Sequence, residues 1–126
     1  MRSLAAVLAS LLFVFASALS APAVELFRYR CHADGGREFE YVFETDEQNA
    51  PRTVSEEKAA EIAADWVTSF YHVQAGALET QEFRARPIAH WLFCFSDTIK
   101  GPIERMLFVV VLPNGMVVQP KVAERL

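Results

Sequence analysis

Cys31, His32, His72, His90 and Cys94 are the residues of this 126-residue chain whose side chains have the widest chemical reach. A thiolate beside an imidazole makes a nucleophile–base pair. His90 and Cys94 fall on the same face of one expected strand, with Ser96 and Asp97 beyond them. Four residues along a strand span roughly 13 Å, which is outside hydrogen-bond reach. Catalysis by this pair would need a group brought in by a second strand. Adding Cys31 and His32 completes a Cys/His set of the metal-binding kind. Neighbours on a strand point to opposite faces, however, so Cys31 and His32 do not converge on one ion. His72 closes a helical stretch, where it is read as half-buried or as a cation complementing the helix C-terminus. The chain contains no Gly-rich phosphate loop, His-Glu-x-x-His, Gly-x-Ser-x-Gly or Cys-x-x-Cys. The expectation is therefore no catalytic residue, no metal and no cofactor.

What the cysteines do depends on the compartment, and the N-terminus speaks to that. Arg2 is followed by an apolar run from Leu4 to Leu19 broken only by Ser10 and Ser17, and then by the small residues Ser20, Ala21 and Ala23. This is the layout of a secretory signal peptide over residues 1–23, with cleavage expected after Ser20 or Ala23. The reading is of an exported protein, periplasmic or secreted, with no membrane segment once the signal is removed. In an oxidising compartment an even pair of cysteines is a disulfide candidate. A Cys31–Cys94 bridge would close a loop of about 60 residues and contribute on the order of 4 kcal/mol. Two buried thiols behaving as small hydrophobes, or pairing between chains, are the alternatives.

Charge is unevenly spread. The whole chain has a net charge of −4 and a sequence pI of about 5.3, which excludes a basic nucleic-acid binder. Between Asp34 and Asp65 stand ten acids against three bases, whereas residues 66–126 carry five against six. Glu40, Glu44 and Glu61 are the candidate acidic face. A solvated exterior is the simpler reading of such a run, and a docking surface for a basic partner is the functional one.

These residues must be held by a single small domain spanning residues 24–126. Residues 24–32 alternate, with Phe27, Tyr29 and Cys31 on one face and Arg28, Arg30 and His32 on the other. Asp34-Gly35-Gly36 reads as a turn. Phe39, Tyr41 and Phe43 then alternate with Glu38, Glu40, Val42 and Glu44, so residues 24–45 make a hairpin. Thr53 or Ser55 can cap a helix carrying Glu56 and Glu57 in its first turn. Its apolar stripe is Ala59, Ile62, Ala63, Trp66, Val67, Phe70 and Val73, and Gly76 is the expected stop. Strands are expected over residues 78–86 and 88–96, the latter with Trp91, Phe93 and Phe95 opposite His90, Leu92, Cys94 and Ser96. Residues 104–112 contain the run 106–112, apolar on both faces, and read as a central strand. Pro113-Asn114-Gly115 marks a tight turn into a short return strand at residues 116–119, and residues 121–126 read as a frayed tail. The fold class is α+β: one helix packed across an antiparallel β-meander in two layers, preceded by a β-hairpin.

Ser55-Glu56-Glu57-Lys58-Ala59-Ala60-Glu61-Ile62-Ala63, followed by a meander ending in Leu112-Pro113-Asn114-Gly115-Met116-Val117-Val118, resembles the PepSY domain and, more loosely, the cystatin-like fold. The likeness covers residues 53–120. It implies an exported module that binds or restrains peptidases. The leading hairpin departs from the family's short unit. The Gln-x-Val-x-Gly loop of cystatins is missing, Val73-Gln74-Ala75-Gly76 being only superficially similar, so the resemblance brings no inhibitory residue with it. Two functions follow as expectations. One is a non-catalytic binding or regulatory module that engages a protein or peptide through a sheet face or exposed edge strand. The alternative is a cone-shaped α+β fold, resembling nuclear transport factor, that binds a small ligand or acts as a minor enzyme between helix and sheet. An open cavity lined by His90 and Asp97 would favour the second, and a solid interior filled by Trp66, Phe70, Trp91, Phe93, Phe95 and Phe108 the first.

Overall fold

The computed structural model describes residues 22–32, 34–48, 50–97 and 106–125. Most of the expected signal segment lies outside the described residues, as does most of the connector between the fourth and fifth strands. The elements are β1 (Val24–His32), β2 (Glu38–Thr45), α1 (Glu56–Tyr71), β3 (Ala75–Arg84), β4 (His90–Asp97), β5 (Met106–Val111) and β6 (Pro120–Arg125). A short turn of 3-10 type at Asp34–Gly36 joins β1 to β2, with Gly35 and Gly36 at φ 81° and 76°.

The fold is α+β with a hairpin ahead of the helix, but it has two sheets. β1, β2 and β6 form one antiparallel sheet in the order β1-β2-β6, and β3, β4 and β5 form the other in the order β3-β4-β5. The two-layer expectation is thereby corrected to three layers. On one face of β4 and β5, Trp91, Phe93, Phe95, Leu107, Val109 and Val111 pack under Ala59, Ala63 and Val67 of α1. On the opposite face, Leu92 and Val110 pack against Leu26 and Phe43 of the hairpin sheet, joined by Leu112 and Val118. The second sheet is therefore the middle layer, and that is why β4 is buried from His90 to Phe95 on both faces. Its apolar sequence demanded cover on two sides, and one helix supplies only one of them.

Four local expectations change. β4, not β5, is the central strand of its sheet. β5 is buried although it lies at an edge, because Val117 bridges to Val111 and the Val118 amide donates to the Val110 carbonyl. The return segment makes only that bridge, and the tail expected to fray instead pairs with β2 as β6. The helix ends before Gly76, at His72, which takes the left-handed conformation (φ 56°, ψ 38°). Other signals hold. Ser55 is the N-cap, its Oγ accepting from the Lys58 amide at 3.1 Å. The 113–115 turn closes with the Gly115 amide donating to the Leu112 carbonyl at 2.9 Å, and with Gly115 at φ 87°.

Candidate functional site

The expected acidic face is not assembled as one surface. Glu40 and Glu44 lie on β2, on the side of the hairpin sheet away from the core, and Glu61 lies exposed on α1, across the middle layer. The β2 acids are moreover matched by bases from both neighbouring strands. Glu40 pairs with Arg28, with Arg30 at 3.3 Å and with Arg125 at 3.3 Å, and Glu44 pairs with Lys121. Arg30 also approaches Glu38 at 4.0 Å. Register sets Arg30 directly opposite Glu40, while Arg28, Arg125 and Lys121 reach their acids diagonally from positions opposite Val42, Glu38 and Val42. With a side chain only 12% exposed amid three arginines, Glu40 is a structural acid. The run of acids in sequence becomes a face of cross-strand pairs once the bases of β1 and β6 are folded against it.

Cys31 and Cys94 are both free thiols, Cys31 half-buried and Cys94 buried. They stand on β1 and β4, on faces turned toward the space between the two sheets, Cys31 alongside Tyr29 and Cys94 alongside Leu92. Burial raises the Cys94 thiol above its ordinary pKa, which leaves it a poor nucleophile at neutral pH. His32 occupies the outer face opposite Glu38, so Cys31 and His32 diverge as strand geometry requires. His72 is exposed rather than half-buried.

The environment of His90 departs sharply from that of an ordinary strand residue. It is fully buried, and its Nδ1 lies 2.7 Å from the Ile88 carbonyl. A carbonyl can only accept, so Nδ1 carries the proton and Nε2 is left as a lone pair. That atom is buried without a hydrogen-bond partner among the described residues. Desolvation lowers the His90 pKa, with Arg84 pushing it the same way, against the Ile88 carbonyl and Glu82, which raise it. Arg84 is its direct cross-strand neighbour.

A cavity of about 300 Å³ is lined by Gln48, Ala50, Ala85, Pro87, Ile88 and Ala89, between the segment after β2 and the turn joining β3 to β4. Neither His90 nor Asp97 lines it. Between α1 and the middle sheet the interior is filled by the alanines of the helix and the rings of β4.

The surface that sequence reasoning passed over is β3. Residues 77–83 are all exposed, although successive side chains on a strand point to opposite faces. Only the ends of the strand are covered, Ala75 by the helix-side core and Arg84 by the Phe27 ring at 5.9 Å, and no described strand pairs with its outer edge. Leu78 and Phe83 are 41% and 44% exposed. Phe83 meets Trp91 edge-on at 5.5 Å, and the Arg52 guanidinium lies 5.5 Å from both ring centres. The signal in the sequence was Leu-Glu-Thr-Gln-Glu-Phe-Arg: two large apolar residues five apart in a polar run fit neither period, as befits a strand with no buried face.

No protein-family model, curated protein or solved structure matches the chain. No helix among the described residues is long and apolar enough to cross a membrane.

Proposed function

We propose that this chain is an exported, non-catalytic binding or regulatory module that engages an extended segment of a protein or peptide along the edge of β3. The observation that carries the reading is the exposure of residues 77–83 of β3 on both faces together with an outer edge that no described strand pairs. An extended segment added there gains main-chain hydrogen bonds, while Leu78 and Phe83 offer side-chain contacts of the kind that give such pairing its specificity. The signal-like residues 1–23 support export, and the resemblance of residues 53–120 to the PepSY domain supports a partner of protein nature. The packed interface between α1 and the middle sheet favours this reading over a small-ligand cone.

A photoreactive aromatic placed at position 83, with a control at Glu61 on the helix exterior, tests the proposal in the producing cell. The expected result is a cross-link from position 83 to an extended segment, identified by mass spectrometry, and none from position 61. Equal labelling at both positions, or none at either, overturns it.

A further inference from the structure

Edge strands are templates for further pairing, and folded proteins blunt them with bulges, charges or cover. The bulges of β3 lie in its first half, where its register to β4 slips between Ala75 and Leu78 and again between Leu78 and Thr80. From Thr80 to Arg84 the register is unbroken. That regular half also holds Phe83, an exposed ring kept in place by Trp91 and Arg52.

We propose that the segment engaged by β3 is the β3 of a second copy of this chain, the two strands running antiparallel about a two-fold axis. This deepens the reading of β3 as the engaging edge and rests on it. A two-fold axis perpendicular to the sheet sets residues that face the same side opposite each other, so it must pass beside one residue paired with itself. Charge selects which one. Centred on Glu82, the pairing opposes two carboxylates, which is unfavourable. Centred on Gln81, it sets Glu82 against Thr80 and Arg84 against Leu78, leaving both charges unmatched. Centred on Phe83, it lays the two Phe83 rings side by side and sets Glu82 opposite Arg84 of the second copy, twice. Glu82 and Arg84 already share one side of the strand, 3.1 Å apart within one chain. The pairing closes them into a square of two acids and two bases, and the two three-stranded sheets become one continuous sheet.

Sedimentation equilibrium of the purified chain, from micromolar to sub-millimolar concentration, measures the association. Glu82→Lys puts like charges opposite each other at both positions and should weaken the dimer roughly tenfold or more, as should Arg84→Glu. The double variant Glu82→Lys with Arg84→Glu restores opposite charges in the same register and should return the dissociation constant to within about threefold of the parent. Thermal melts of all three establish that they fold. A parent chain that stays monomeric throughout, or single variants that associate as the parent does, overturns the proposal. The cross-link from position 83 separates the two readings. A segment of another protein there sinks self-pairing and leaves the engaging edge standing, whereas no adduct sinks both.

Discussion

Single residues carry constraints in this fold that packing averages conceal. Gly115 sits at φ 87°, where a side chain is strained, and a Cβ built on it would come within 3.2 Å of Val54 Cγ1 and 3.3 Å of Ile62 Cδ1. Gly115→Ala should cost about 1–3 kcal/mol, measured as a shift in denaturant midpoint at constant m-value. An unchanged midpoint would mean that the turn relaxes freely away from the helix. His90 makes the second constraint, and here the sign follows from its lowered pKa. The unfolded chain takes up a proton near pH 6.5 while the folded chain resists it, so the unfolded state binds more protons below that pH. Stability is fully present above about pH 6.5 and is lost as pH falls toward the folded value, by up to about 1.4 kcal/mol per unit. His90→Asn keeps a donor near the Nδ1 position and cannot titrate. The stability difference between parent and variant should therefore shrink from pH 7 to pH 5 in urea titrations. A difference independent of pH would show that His90 is not the group responsible.

Between elements, two tyrosines join all three layers. Tyr71, at the end of α1, donates to the Phe108 carbonyl of β5 at 3.0 Å, so the 2.6 Å contact between the Tyr29 and Tyr71 hydroxyls has Tyr29 as donor. The chain of bonds runs from β1 through the helix end to β5, with Tyr29 also stacked on Tyr41 at 4.8 Å. Tyr29→Phe should cost about 0.5–1.5 kcal/mol, and Tyr71→Phe more, about 1–3 kcal/mol, since it strands both the Tyr29 hydroxyl and the Phe108 carbonyl. The double variant should cost less than the sum of the two, and strict additivity in the double-mutant cycle would refute the coupling. Burial first, and Tyr71 second, raises the Tyr29 pKa. Above about pH 10 the unfolded chain gives up this proton while the folded chain holds it, so the tyrosine pair also costs stability in alkali. This scale also shows how much of the design was legible in sequence. Hairpin, helix cap, face assignments of β4 and the 113–115 turn all follow from local periodicity and turn chemistry, and each is found in place. The second sheet was missed because strand pairing at a distance leaves no periodic mark. β6 carries charges that look like a solvated tail until they meet the acids of β2. The double-sided apolar pattern of residues 106–112 did contain the clue, for one helix covers only one face of a sheet. The candidate site shows the same division. The acids of the 34–65 run were visible as a cluster, but their basic partners come from strands at both ends of the domain. β3 was unremarked because its pattern belongs to no buried face.

The whole molecule is a graded stack, and its stability should be graded in the same order. β4 and β5 lie between α1 and the hairpin sheet and hold most of the fully buried side chains, among them Trp91, Phe93, Val109, Val110 and Val111. β6 is exposed from Lys121 to Arg125 and held to β2 by one ladder and its ion pairs, and β3 pairs with β4 alone and is covered only at its ends. Local opening of either flank exposes little apolar surface, whereas opening the middle layer separates both cores at once. Native-state hydrogen exchange should thus place the slowest amides in β4 and β5, at the free energy of global unfolding. Amides of β6 should exchange by opening several kcal/mol more easily, and those on the outer edge of β3 fastest among the strands. Concentration adds a further discrimination. If β3 pairs with a second copy, its outer amides gain protection as the protein is concentrated while those of β6 do not. Protection of β3 equal to that of β4 in dilute solution would contradict the layered account, because it would require cover over residues 77–83, which are exposed.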